Sequence, residues 1–198
     1  MPVLHPVILA VPPDKTGLSG REKSVFLSRY ARVALDLSAR YSRMPLGELY
    51  KDDHGAPVPS NGVFWSITHK RHYVGGVVST GLVGIDIEEI KPRHTGMFKK
   101  VGVCEEWSLS DGDPFHIFYR YWTAKEAVIK AWGEGIKDLL KIRVVEIPDE
   151  NNLVVRFGGK IRHVEHCYFD RHIAAVVKDG FDIQWRIETY QIKGGSAF

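Results

Sequence analysis

Residues 71–88 read R-H-Y-V-G-G-V-V-S-T-G-L-V-G-I-D-I-E, and residues 171–188 read R-H-I-A-A-V-V-K-D-G-F-D-I-Q-W-R-I-E. The two stretches resemble each other, and each is typical of a β-hairpin, because strand-forming residues flank a short link that contains Gly. An internal repeat predicts two similar halves, and a chance similarity between two hairpins is the alternative. Arg186 stands where the first copy has Asp86, so a duplicated chain would carry its acidic pair in only one half.

A helical segment precedes each copy of the repeat. Residues 19–42 predict a helix that Ser19 can cap, and residues 114–132 predict a second helix that ends at Gly133 and Gly135. The apolar positions of the first helix are Val25, Phe26, Tyr30, Val33, Ala34 and Leu37.

Strand patterns occupy most of the remaining chain, and residues 51–61 form a turn-rich loop. The predicted strands are residues 7–11, 64–68, 73–79, 82–88, 144–147, 153–157, 172–178 and 181–189. The sequence therefore predicts an α+β fold with two similar halves, residues 1–91 and 92–198, related by a pseudo-two-fold axis. Each half is expected to pack one helix on a small antiparallel sheet, with the active site in the cleft between them.

Composition places the chain among ordinary folded proteins and predicts a cytoplasmic location. Of its 198 residues 44% are hydrophobic and 26% are charged, and no run approaches the length of a membrane-spanning helix. Two isolated cysteines, Cys104 and Cys167, fit a reducing compartment. A net charge of +3 is too small to indicate nucleic-acid binding, but it suits an acidic protein partner or a phosphorylated ligand.

The stretch G-I-D-I-E at residues 84–88 carries the first candidate site. In a strand, Asp86 and Glu88 point to one side while Ile85 and Ile87 face the core. A hard cation such as Mg²⁺ relieves the repulsion between two adjacent carboxylates. The alternative, a solvated strand face, is the commoner explanation of an isolated D-x-E.

The stretch W-T-A-K-E-A-V-I-K-A-W-G at residues 122–133 carries the second candidate site. Glu126 and Lys130 lie four residues apart and therefore share one face of the predicted helix. An exposed Glu–Lys pair of no functional importance is the alternative for this motif alone.

Taken together, the two motifs resemble the paired signature of the 4′-phosphopantetheinyl transferases. The two-half organisation resembles the surfactin-type, monomeric branch of that superfamily. The resemblance is close over residues 60–135 and holds only in outline elsewhere. It implies transfer of the 4′-phosphopantetheine group from coenzyme A to a serine of an apo acyl or peptidyl carrier protein, with release of 3′,5′-ADP.

The resemblance also implies roles for individual residues. Asp86, Glu88 and Glu126 would bind Mg²⁺, with Mn²⁺ as a substitute. Glu126 would also accept the proton of the carrier serine, and Lys130 would neutralise charge on the leaving 3′,5′-ADP. Glu105 would lie in the outer shell of the metal, with Glu106 as the alternative.

Contacts to coenzyme A follow from the same resemblance. The expected residues are Thr68, His69, Lys91 and Lys130, together with Arg21 or Lys23 from the first helix. One position departs from the family, because Ala56 stands where a lysine is common in the loop before the first motif. Either Lys51 or Lys70 would then compensate, or the affinity for coenzyme A would be lower.

Two other functions remain compatible with the residues. One is a non-catalytic relative that binds coenzyme A, and the other is a metal-dependent phosphoesterase that uses the same carboxylates. The expected partners are coenzyme A and an acidic carrier protein, with neither nucleic acid nor membrane among them.

Overall fold

Two sheets, each covered by one long helix, make up the computed structural model, which describes residues 1–53, 55–133 and 139–188. The helices are α1 (Gly20–Ser42), α2 (Phe98–Val101), α3 (Cys104–Trp107) and α4 (Pro114–Trp132). The strands are β1 (Val3–Leu4), β2 (Val7–Ala10), β3 (Phe64–His69), β4 (Tyr73–Ser79), β5 (Ile85–Glu89), β6 (Arg143–Glu146), β7 (Asn152–Phe157), β8 (Lys160–Phe169), β9 (His172–Val177), β10 (Asp182–Ile183) and β11 (Arg186–Glu188). The α+β class predicted from the sequence is confirmed.

The two sheets have the strand orders β11-β2-β4-β3 and β5-β9-β8-β7-β6, and a short parallel pair joins β1 to β10. The first sheet packs against α1, as the contact of Leu27 and Ala31 with Val7 and Val74 shows. The second sheet packs against α4 in the largest apolar cluster. Among the described residues, no helix combines the length and the apolarity that crossing a membrane requires.

Helix α1 begins where the sequence predicts, and four of the six predicted apolar positions pack against the first sheet. Val25 and Val33 are exposed, whereas Leu27, Ala31 and Leu35 are buried. The face that meets β4 is rich in small residues, because the backbones of the helix and the strand approach closely. A Cβ added at Gly76 would lie 2.5 Å from the Leu35 backbone nitrogen.

Helix α4 has the predicted bounds and clear signals at both ends. The carboxylate of Asp113 accepts hydrogen bonds from the backbone N–H groups of Phe115 and His116, and Pro114 occupies the first turn. Gly133 ends the helix with φ of 65°, a left-handed conformation that glycine adopts without strain. The second predicted stop, Gly135, lies outside the described residues.

The two repeated stretches are not hairpins, so this part of the prediction is wrong. After β4, the link at residues 80–84 leads the chain out of the first sheet, and β5 pairs antiparallel with β9 of the second sheet. After β9, the chain returns, and β11 pairs parallel with β2 of the first sheet. Each sheet therefore contains one strand from the other repeat. The physical reason is burial, since Ile85 packs against Val176 in a shared apolar cluster.

Two strands were missed, and one further strand prediction needs correction. The ten-residue strand β8 was not predicted, and neither was β1. The predicted strand at residues 181–189 is interrupted and forms the short strands β10 and β11 over its described part. The division at residue 91 stays a prediction, and β5, which precedes that residue, lies in the sheet that α4 covers.

Candidate functional site

Strands β3 and β5 and helix α4 enclose a cavity of about 340 Å³ that contains the acidic pair. Asp86 and Glu88 lie two residues apart on β5 and therefore face the same side. Glu126 and Lys130 lie one turn apart on α4 and face them. The residues that line the cavity are Ser28, Lys51, Ile67, Thr68, His69, Lys70, Asp86, Glu88, Trp122, Glu126 and Lys130.

A close contact between β5 and α4 brings the two motifs together. A Cβ added at Gly84 would lie 1.9 Å from the carbonyl oxygen of Ala127 and 2.7 Å from the backbone nitrogen of Ala131. Any side chain at this position would push the strand and the helix apart. The glycine of G-I-D-I-E therefore sets the distance between the carboxylates of β5 and the side chains of α4.

Two lysines neutralise the carboxylates of β5. Lys130 Nζ lies 2.7 Å from Asp86 Oδ1 and also donates to the carbonyl oxygen of Ile85 at 3.1 Å. Lys70 Nζ lies 2.6 Å from Glu88 Oε1. Thr68 Oγ1 donates to Asp86 Oδ1 at 3.1 Å, so the hydroxyl fixes the orientation of this carboxylate.

Burial shifts the pKa values of three side chains of the site. Burial raises the pKa of Glu88, and the neighbouring charge of Asp86 raises it further. The pKa of Glu126 is raised by the same two causes in the same order. Burial and then the charge of Lys130 lower the pKa of His69, which stays a neutral imidazole beside the carboxylates at neutral pH.

The donor set fits a hard divalent cation, although the carboxylates are held by lysines. Over residues 1–53, 55–133 and 139–188, no three His, Cys, Asp or Glu side chains are arranged as a metal centre. However, Asp86 Oδ2 is buried and has no hydrogen-bond partner among the described residues. A buried carboxylate oxygen without a partner is costly, and an oxygen-seeking cation would satisfy it.

Four of the residues assigned from the sequence do not line this cavity. Arg21 is exposed and Lys23 is half-buried in the first turns of α1. Lys91 is exposed and pairs with Glu89 at 2.9 Å. Glu105 has an 81% exposed side chain and lies 3.8 Å from Arg143.

Glu106, the alternative to Glu105, occupies a buried ion pair instead of the cavity. Its Oε1 lies 2.6 Å from Nζ of the fully buried Lys125, which also donates to the carbonyl oxygen of Val101. The backbone N–H of Val144 donates to the same carboxylate oxygen. Glu106 thereby ties α3 and β6 to the helix that carries Glu126.

Several cavity residues were missed or named only as substitutes. Ser28 and Ile67 carry no sequence signal, since a small polar residue on a helix and an apolar residue in a strand are both commonplace. Lys51 and Lys70 were named only as replacements for a lysine at Ala56. Ala56 itself lies beside the end of α4, because a Cβ on Gly133 would lie 2.9 Å from its methyl group.

Comparison with known proteins decides the family. The sequence model of the 4′-phosphopantetheinyl transferase superfamily matches residues 82–190, more than half of the chain. The chain belongs to this superfamily. The matched region begins just before the acidic pair and includes both Glu126 and Lys130.

Curated relatives of this transferase-superfamily chain match it over about half of its length. The 4′-phosphopantetheinyl transferase HetI of Nostoc sp. is 33% identical over 97 residues, which are 46% of this chain and 41% of the relative. A putative 4′-phosphopantetheinyl transferase of Haemophilus influenzae is 30% identical over 50% of this chain and 46% of the relative. The transferase AcpT of Escherichia coli K12 is 27% identical over 50% of this chain and 55% of its own length. These alignments span about half of each relative.

Proposed function

We propose that this protein transfers the 4′-phosphopantetheine group of coenzyme A to a serine of an acyl or peptidyl carrier protein, releasing 3′,5′-ADP. The observation that carries the proposal is the meeting of Asp86 and Glu88 on β5 with Glu126 and Lys130 on α4 in one cavity. Membership of the superfamily supports the same reaction.

The cavity offers the charges that a diphosphate ester needs. Lys51, Lys70 and Lys130 line it together with His69, so coenzyme A would bind with its phosphates among these groups. The lining also includes Ile67 and Trp122, which offer apolar surface beside the charged groups. We propose that Thr68 orients Asp86 and that His69 contacts the nucleotide.

Asp86, Glu88 and Glu126 would hold a Mg²⁺ or Mn²⁺ ion. When bound, such an ion supplies neutralisation of phosphate charge, which is most of what phosphoryl transfer requires. The buried, unpartnered Oδ2 of Asp86 supports this assignment.

The chain's own residues then account for the proton and the leaving group. The serine hydroxyl of the carrier forms a bond to the phosphorus that carries pantetheine, and the bond from that phosphorus to 3′,5′-ADP breaks. Glu126 accepts the hydroxyl proton, because its carboxylate lines the same cavity as the groups that would hold the phosphates. Lys130 meets the charge that develops on the leaving oxygen, and this role requires it to release Asp86.

Intact-mass measurement of apo carrier proteins incubated with this protein, coenzyme A and Mg²⁺ tests the proposal. The expected result is a mass gain of one phosphopantetheine group and an equal amount of 3′,5′-ADP. Asp86→Ala and Glu126→Gln should abolish the gain while the far-UV spectrum of the protein stays unchanged.

The same experiment separates the two other candidate functions. Release of 3′,5′-ADP without an apo carrier would indicate a phosphoesterase. Binding of coenzyme A with neither product, across fatty-acid, polyketide and peptide carriers, would indicate a non-catalytic relative and refute the proposal.

A further inference from the structure

Lys70 takes no part in the proposed proton transfer or in the departure of the leaving group, although it lies beside Glu88, a proposed metal ligand. It follows His69 at the end of β3, and its ammonium lies 2.6 Å from Glu88 Oε1. The Glu88 side chain is 9% exposed and that of Lys70 is 37% exposed. The carboxylate is therefore fixed in the protein, while the lysine reaches it from the solvent side.

The two lysines that pair with the carboxylates of β5 are held differently. Lys130 donates to both Asp86 Oδ1 and the carbonyl oxygen of Ile85, so two acceptors hold its ammonium. Within the part of the chain that the structure describes, the ammonium of Lys70 donates only to Glu88. Lys70 can leave by rotating its long side chain, and no other described contact of its ammonium is broken when it does.

The charges of the cavity set the cost of that movement. The carboxylates of Asp86, Glu88 and Glu126 share one cavity with the ammonium groups of Lys70 and Lys130, which pair with Glu88 and Asp86, and with Lys51. A lysine ammonium and a divalent cation next to the same carboxylate repel each other strongly, because the site is partly shielded from water. Glu88 can therefore pair closely with one of them but not with both at full strength.

We propose that Lys70 is an internal counter-ion of Glu88, which a divalent cation displaces, and that the released ammonium then binds a phosphate group in the same cavity. The inference rests on the proposed function, since it assumes that the carboxylates bind a metal. It assigns to Lys70 the coupling between two ligands. Metal binding frees the ammonium of Lys70 to bind the phosphate and so raises the affinity for the phosphate. By linkage, the phosphate raises the affinity for the metal by the same factor.

Binding of Mn²⁺, followed by the electron paramagnetic resonance signal of the free ion, tests the displacement step directly. Lys70→Gln removes the competing charge and should bind Mn²⁺ about tenfold more tightly than the unaltered protein when no nucleotide is present. Arg71→Gln is the matched control, because it removes one positive charge from the next, exposed residue and should stay within about twofold. Lys70→Arg keeps a cation beside Glu88 and should restore the original affinity.

Addition of coenzyme A tests the second step. In the unaltered protein coenzyme A should increase the affinity for Mn²⁺, and Lys70→Gln should lose most of that increase. A Lys70→Gln affinity equal to or weaker than that of the unaltered protein, or an undiminished effect of coenzyme A, would overturn the inference.

The proposed function and this inference fail in different ways. If the unaltered protein modifies a carrier protein but Lys70→Gln leaves Mn²⁺ binding unchanged, only the proposed role of Lys70 is refuted. If neither the unaltered protein nor Lys70→Gln binds Mn²⁺ and no carrier gains mass, the proposed function and the role of Lys70 are both refuted. Glu88→Gln should weaken Mn²⁺ binding, which checks that the measured ion occupies this cavity.

Discussion

Replacing Gly84 by alanine should damage both stability and activity, because this glycine sets the contact between β5 and α4. The new Cβ would lie 1.9 Å from the carbonyl oxygen of Ala127, and real Cβ atoms essentially never approach a heavy atom within 3.0 Å. The obstructing atoms belong to the helix backbone, so a side-chain rotation cannot relieve the clash. The helix and the strand must separate by at least about 1 Å, and overpacking of this kind costs about 1–3 kcal/mol.

The displacement should affect the site more than it affects the fold. Lys130 lies 2.7 Å from Asp86, and a shift of 1 Å disrupts a contact of that length. Misplacement of catalytic groups by about 1 Å can lower a rate by about 10². We therefore expect Gly84→Ala to lose about 1–3 kcal/mol in urea unfolding and about 10² in the single-turnover rate of transfer.

A control in the same link separates packing from backbone effects. Gly81 has nothing within 4 Å of an added Cβ and does not have a left-handed φ. Gly81→Ala should change the free energy of unfolding by less than about 1 kcal/mol and leave the rate unchanged. If Gly84→Ala is as stable and as active as Gly81→Ala, the close contact does not set the geometry of the site.

Three other substitutions test separate parts of the structure. Lys130→Ala should slow single-turnover transfer by about 10² to 10³ while Mn²⁺ binding persists, and a rate within about threefold of the original would contradict the role of Lys130. Glu106→Gln should lower the free energy of unfolding in urea by about 3–5 kcal/mol, because it breaks the buried ion pair with Lys125, whereas Glu105→Gln should change it by less than about 0.5 kcal/mol. Burial lowers the pKa of His166 to about 3, so the unfolded chain binds the extra proton below pH 6.5 and stability falls as the pH falls. The free energy of unfolding should therefore fall by about 2 kcal/mol between pH 7 and pH 5, and His166→Gln should abolish this fall. The same substitution at exposed His163 should not abolish it.

The sequence was most informative where local signals and function coincide. Helix α4 has an N-cap, a proline in its first turn and a glycine stop, so its bounds could be predicted from residues 113–133 alone. The gathering of Asp86, Glu88, Glu126 and Lys130 followed from the paired motif, which requires these residue types at these spacings. Their roles in metal binding and catalysis remain predictions.

Long-range pairing is what the sequence could not provide. In both repeats the sequence pattern predicts two strands and a short link, and local rules favour pairing the two strands as a hairpin. The structure instead pairs β5 with β9, and Ile85 of β5 joins Val176 of β9 and Val77 of the first sheet in one apolar cluster. Strand β8 was missed because charged residues and histidines interrupt its apolar positions, and the ion pair of Lys70 with Glu88 joins residues that are distant in sequence.

The exchange of strands between the sheets has a consequence for how the protein matures on the ribosome. Strand β5 carries Asp86 and Glu88, and its only sheet partner among the described strands is β9, which is synthesised more than 80 residues later. Until residues 172–177 emerge from the exit tunnel, the acidic strand has no ladder to join. A nascent or prematurely terminated chain that lacks residues 172–177 therefore cannot assemble the cavity, and the ability to bind its ligands arises only after these residues have been made.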